Sequence, residues 1–359
     1  MAQIYLDYNA STPIDPAVAT AMQPFLDEAF GNPSSGHWAS TPAKAALERA
    51  RGQVATLLGA APDEIVFTSG GSEANNLAIK GTFFALKHKG EHIITTAGRA
   101  PRRSRPPCRF LERLGATVTY LPVGSTGGVD PEAVRRAITP RAVLISVMHA
   151  NNEVGTIQPI EDISAIAREH DIRVHTDAAQ SVGKIPIRVD ALGVDLLTIA
   201  GHKLYAPKGV GALYVRRGVE LEPLIHGAGH EQGRRAGTES ALLAVGLGAA
   251  CILAQDLAPM ERVQALRDRA EKYNRLAALK ARFDPSNLFR LNQNIEPTPS
   301  LVAGIEEQVA RGPADDRVVI LMLGEMLPEL LDAGYHAMFS NRCSAAMETR
   351  SSRWSLNCA

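Results

Sequence analysis

From Glu64 to Val215 short apolar runs alternate with segments whose apolar positions recur at helical spacing. The strand-like runs are Glu64–Thr68, His92–Thr96, Thr117–Leu121, Ala142–Met148, Arg173–Asp177, Leu196–Ala200 and Val210–Val215. Helical patterns fall between them at about Ser72–Leu86, Cys108–Leu114, Pro131–Ile138 and Ile160–His170, and two more precede them at about Pro16–Phe30 and Ala43–Leu58. Strands separated by helices have room for crossovers rather than hairpins, so the pattern predicts an α/β fold with a mainly parallel sheet. In such a sheet ligands collect beyond the carboxyl ends of the strands.

Polar residues gather at those ends. The first strand runs into Ser69-Gly70-Gly71-Ser72, a glycine turn that opens a helix, and its exposed N–H groups and helix dipole favour an anion. Another strand ends in Asp177, and a carboxylate at the floor of a pocket needs a cationic or hydrogen-bonding partner. Gln180 and Asn152 follow two of the strands and can hydrogen-bond a ring oxygen. The run Leu196–Ala200 leads into Gly201-His202-Lys203. A lysine carried from a strand end into a closed pocket loses its proton more readily than a surface lysine, as an imine-forming lysine must. A pyridinium nitrogen on Asp177, an imine on Lys203 and a phosphate on Gly71, Ser72 and His202 are together the contacts that pyridoxal 5′-phosphate (PLP) requires.

Over residues of about 3–255 the chain resembles the class V aminotransferase family, and within it the cysteine desulfurases of the NifS/IscS type. The resemblance rests on Tyr5–Ala10, Gly31–Ser35, Phe67–Asn76, Met148–Gly155, His175–Ser181, Gly201–Lys203 and His226–Thr238. It implies a PLP-dependent transferase of fold type I, with a seven-stranded type of sheet, working as a homodimer. It further implies Lys203 as the imine lysine, Asp177 on the pyridine nitrogen, and Asn152 and Gln180 on the ring oxygen. Gly71, Ser72 and His202 would hold the phosphate, and Thr238 would reach the phosphate of the site in the other subunit. The implied reaction converts L-cysteine to L-alanine. A cysteine on a loop in the C-terminal part takes the sulfur, for iron–sulfur cluster assembly or another sulfur-acceptor protein.

Two features depart from that pattern. The window Gly98–Pro107 holds four arginines and three prolines, and its consecutive prolines are poor helix formers. It places Pro101 where the family has a histidine that stacks on the ring and moves protons, a role worth about 10²–10⁴-fold in rate. Past about Leu257 the family motifs stop, which divides the chain into a cofactor-binding domain, 1–258, and an atypical region, 259–359. A translated frameshift or an unselected insertion accounts for the window, with a basic binding loop as the alternative, and a fused, rearranged or frameshifted reading frame, or a poorly folded region, accounts for the second departure. Cys343, in Asn341–Ala345, is the nearest candidate for the sulfur carrier; Cys108, Cys251 and Cys358 suit that role less. Residues of about 272–297 resemble the C-terminal tail of berberine-bridge-type FAD-linked oxidases, and no flavin is inferred from them. The expectation is a cysteine desulfurase with impaired sulfur transfer. The alternatives are another class V enzyme, such as a selenocysteine lyase, or a non-catalytic scaffold of the family.

Composition excludes other classes. Lys+Arg and Asp+Glu balance at 38 each, so no global field argues for nucleic acid or an acidic membrane surface. No apolar run approaches the roughly 18 residues of a membrane span. The amino end has no basic segment before an apolar one, and the four cysteines lack metal or disulfide spacing. A cytoplasmic protein is expected.

Overall fold

The computed structural model describes residues 7–97, 106–124, 126–152 and 155–268. By their contacts they belong to two units. The larger unit, Thr12–Asn152 and Thr156–Leu257, holds the sheet. The smaller includes Met1–Ser11, Glu153–Gly155 and Ala258–Ala359. Its described parts are a turn, in which Ala10 and Ser11 donate backbone N–H groups to the Asp7 carbonyl, and the helix Ala258–Asp268.

The sheet has seven strands in the order β1-β7-β6-β5-β4-β2-β3. They are β1 Ile65–Thr68, β2 His92–Thr96, β3 Thr117–Leu121, β4 Ala142–Met148, β5 Arg173–Asp177, β6 Leu196–Ala200 and β7 Gly211–Val215. Strands β2 to β6 are parallel. β7 lies antiparallel between β6 and β1. The link from Ala200 to Gly211 is too short for a crossover helix, so β7 must double back.

Apart from the edge strand β3, whose first four residues are exposed or half-buried, the sheet is buried on both faces, and successive strand residues take opposite sides. Phe67, Ile94, Ile145, Val147, Leu197, Ile199 and Tyr214 join one core with Leu47, Val54 and Leu58 of the helix Thr41–Leu58 and Leu247 of the helix Ala241–Leu253. Their strand neighbours point the other way. Ile93 and Leu144 pack with Ile79, Phe83 and Leu111, and Val66, Leu196, Leu213 and Val215 pack with Leu77. This two-sided burial explains why the strands read as continuous apolar runs.

Three helical expectations change. Pro24 has no N–H to continue the first helix, which becomes Pro16–Met22 and Pro24–Asp27. The helix expected from Ser72 is continuous in direction but contains a π-helical turn, Leu77–Gly81, between Gly71–Asn76 and Thr82–Leu86. The paired prolines 106 and 107 do not oppose a helix; they begin Pro106–Glu112, where a missing N–H costs nothing because first-turn N–H groups lack helical partners anyway.

Candidate active site

Asp177 ends β5 and is the centre of the site. Its backbone pairs with Met148 of β4 and Thr198 of β6. Its Oδ2 accepts from Asn75 Nδ2 at 2.7 Å and its Oδ1 from the Ala179 N–H at 3.0 Å. Each carboxylate oxygen can accept twice, so the group retains acceptor capacity for a cationic N–H.

Asn75 comes from the helix that begins at Gly71, and it therefore ties the glycine turn to the carboxylate. Gly70 has φ 146°, a backbone region that favours glycine. The turn sits tightly on the ends of β6 and β7. A Cβ on Gly211 would lie 2.8 Å from Gly70 Cα, and one on Gly71 would lie 3.1 Å from Ala200 Cβ. The first N–H groups of the helix have no carbonyl partner within it, which leaves them available to an anion. Glu73, one residue after the exposed Ser72, binds the Ser69 N–H and Arg235 Nε, both at 2.8 Å. Burial pushes its carboxyl up, but these bonds outweigh it and hold Glu73 below the usual carboxylate range. They also fasten the segment containing Arg235 to the turn.

Lys203 lies in the short helical turn Gly201–Lys203 directly after β6. Thr12 clamps the backbone on both sides of it. The Thr12 N–H and Oγ1 donate to the His202 carbonyl at 2.9 and 3.0 Å, and Oγ1 accepts from the Tyr205 N–H at 2.9 Å. His202 is held below its usual pKa, first by burial and then by Lys203 and Lys208, which favours a neutral ring that can donate to an anion without adding charge.

After Asp177 the chain makes successive turns, and Lys184 Nζ donates to Gln180 Oε1 at 2.6 Å. Burial and the charge of Lys203 push the Lys184 ammonium down to about 8. Gly71, Asp177, Gln180, His202 and Lys203 are thus assembled at adjoining strand ends. Asn152, in the loop after β4, and Thr238 are exposed. Cys343, Cys358 and Pro101 lie outside the described residues. Cys251 is fully buried in the helix Ala241–Leu253, and desolvation pushes its thiol up to about 12, so it is a poor nucleophile. Sequence reading assigned no role to Asn75, Lys184 or Thr12. The spacing of four between Gln180 and Lys184 could have shown that pair; nothing local marks Thr12.

The residues fit PLP. Two buried polar atoms beside Asp177, Asn75 Oδ1 and His149 Nδ1, have no hydrogen-bond partner, and His149 itself donates its backbone N–H to the Asp177 carbonyl. A bound polar ligand would supply what they lack. A cavity of about 780 Å³ lined by Pro24, Phe25, Ala45, Arg49, Val245 and others contains none of the site residues; its walls are mainly apolar helix faces with no cluster of titratable groups. Among the described residues no group of histidine, cysteine and carboxylate side chains could hold a metal ion, and no helix is long and apolar enough to cross a membrane.

The sheet order and the strand-end cluster define a PLP-dependent transferase of fold type I. Comparison with known proteins refines this. The family model described as aminotransferase class-V matches residues 4–301, past the position near 255 where the recognisable motifs end. The cysteine desulfurase IscS of Dictyoglomus turgidum is 53% identical over 269 residues, covering 74% of this chain and 68% of that enzyme. The solved structure of SspA in complex with cysteine has a TM-score of 0.70 at 45% identity, covering 75% of this chain and 78% of that one. A NifS-like protein gives 0.71 at 36% identity, with 78% and 76% covered. The chain belongs to the class-V aminotransferase family, whose members depend on PLP.

Proposed function

We propose that this chain binds PLP through Lys203 and Asp177 and acts on L-cysteine as a cysteine desulfurase. The observation that carries the reading is the Asp177 carboxylate, fixed by Asn75 at the end of β5, one strand from the turn bearing Lys203. When bound, PLP supplies an electron sink for bonds broken at the amino acid. Asp177 holds a proton at the ring nitrogen, and Asn75 holds Asp177. Gln180 and Asn152 orient the ring oxygen, while Gly71, Ser72 and His202 hold the phosphate. Lys203 anchors the cofactor and accepts or returns a proton at Nζ.

Thr238, exposed in the single chain, completes the site across a homodimer. The NifS/IscS resemblance supports a cytoplasmic enzyme that serves iron–sulfur cluster assembly through a sulfur-acceptor protein. Sulfur transfer needs a thiolate to attack the substrate sulfur, and Cys343 is assigned that role. With Pro101 in place of a proton-moving histidine, turnover is slow by about 10²–10⁴-fold.

Reconstitution with PLP tests the cofactor half. Wild type should acquire the visible absorbance of lysine-bound cofactor, and Lys203→Ala should lack it; a colourless wild type overturns the reading. Alanine and sulfide production from L-cysteine under reducing conditions tests the reaction. A slow rate lost in Cys343→Ser supports it, whereas alanine from selenocysteine but not cysteine favours a selenocysteine lyase. A soluble dimer that never binds PLP favours a scaffold.

A further inference from the structure

We propose that Lys184 is a positioning residue that sets the orientation of the Gln180 amide, so that its NH₂ group and not its carbonyl is presented to the cofactor. The inference rests on the PLP site proposed above. Gln180 and Lys184 are four residues apart in a segment turned by the Ser181 and Val182 N–H groups donating to the Ala178 carbonyl, and the Lys184 N–H to the Ser181 carbonyl. That spacing brings two side chains to one face of a helical turn. Lys184 Nζ meets Gln180 Oε1 at 2.6 Å.

An amide side chain is nearly symmetric in shape but opposite in hydrogen-bonding character at its two ends. An ammonium only donates. It therefore selects the amide oxygen, which makes the opposite end of Gln180 the NH₂ group. Gln180 is buried, so a wrongly turned amide would forfeit the Lys184 bond in a place where water does not compensate. The segment is also seated against the lysine turn. Gly183 has φ +70°, and a Cβ there would lie 2.6 Å from Leu204 Cδ2, the side chain next to Lys203. The closeness is electrostatic as well, since Lys203 adds to burial in pushing the Lys184 ammonium down to about 8. At neutral pH most of the Lys184 population is still the donating ammonium.

An NH₂ group aimed at the ring oxygen stabilises negative charge there. That weakens the oxygen's hold on the proton at Lys203 Nζ and lowers the pH at which the bound chromophore changes colour. A carbonyl in its place would do the reverse.

The test is a pH titration of the visible absorbance of PLP-loaded full-length protein. Lys184→Met should raise the midpoint by about one pH unit, the size expected for losing a hydrogen bond to a charged group. Lys184→Arg, which still only donates, should keep the wild-type midpoint. Gln180→Ala should raise the midpoint by itself. Because removing a nearby cation can raise it directly, the decisive arm is Lys184→Met in the Gln180→Ala background. No further shift supports an action through Gln180; a full further shift overturns it, as does a wild-type midpoint in the loaded Lys184→Met protein. A wild type that shows no bound chromophore instead refutes the site reading on which the inference depends.

Discussion

Asn75 Nδ2 and Asp177 Oδ2 lie 2.7 Å apart although 102 positions separate them. One residue belongs to the helix that follows β1 and the other ends β5, three places away in the sheet order β1-β7-β6-β5. The bond therefore fixes the anion-binding turn and the carboxylate in one frame. Removing its donor should be felt by the cofactor. Asn75→Ala should weaken PLP binding by about tenfold or more, since a hydrogen bond to a charged group contributes about 1.5–3 kcal/mol. Asn75→Asp should weaken it further by setting a second carboxylate against the first. Equilibrium titration with PLP, followed by absorbance, reads both.

The close approach of Gly211 to Gly70 predicts a second effect. Gly211→Ala would push a methyl group against the Ile199 carbonyl oxygen at 2.6 Å and the Gly70 backbone at 2.8 Å. Overpacking of this kind costs about 1–3 kcal/mol. Here the strain is shared between β6 and the turn proposed to hold the phosphate, so thermal stability should drop and PLP affinity with it. Unchanged affinity would mean that the turn yields without consequence.

Glu231 sits in backbone of unusual shape, with φ 48°, and is buried at 5% exposure. It accepts from Arg51 Nη1 at 2.7 Å, Arg51 Nη2 at 2.9 Å and the Phe67 N–H at 2.8 Å. Breaking such a pair from one side strands a buried charge, at a cost of about 3–5 kcal/mol. Arg51→Met should lower the unfolding free energy by that order and move the urea midpoint down accordingly. Arg51→Met combined with Glu231→Gln should recover part of the loss, which urea titration can resolve.

Acid sensitivity has several contributors, since burial also holds His149 and His202 below the ordinary range, and His92 and Glu73 are two that can be separated. His92 is 3% exposed and contacts Thr139 Oγ1 and Thr119 Oγ1, each at 2.8 Å; burial holds its pKa below the usual 6.5. The unfolded chain takes the proton first, so stability declines as pH falls through about 6.5. Glu73 acts lower. Its folded pKa lies below the usual 4.5, so its contribution is present above that value and is lost as pH falls through the folded one. His92→Gln should flatten the decline between about pH 7 and pH 5.5, and Glu73→Gln should flatten only the part below about 4.5. Denaturant midpoints measured against pH separate the two.

Much of this was legible in the chain itself. Strands β2 to β6 begin and end where their apolar runs do, because the few polar residues inside them, such as Ser146, His175 and Thr198, are buried and paired within the sheet. Asp177 and Lys203 are legible through their combination, since each alone reads as readily as a structural residue and only the set of strand-end groups points to a cofactor. The mainly parallel pattern does not announce the antiparallel direction of β7, which follows from the ten residues between Ala200 and Gly211, too few for a crossover helix. Asn75 and Thr12 stayed hidden for another reason: each acts through partners distant in sequence, and neither breaks a local pattern. Lys184 is not legible either, because a lysine near a turn ordinarily reads as a solvated charge.

The clamp of Thr12 on the lysine turn has a consequence for biogenesis. Its two halves are made 190 residues apart, so a nascent chain still on the ribosome cannot set the Lys203 backbone until nearly the whole sheet has emerged. Before that, the cofactor would meet a loose amine rather than a poised one. With Lys203 as the proposed cofactor lysine, loading with PLP would then mark the completion of the domain, and an amino end cut back past Thr12 would compromise that step however well the remaining strands paired.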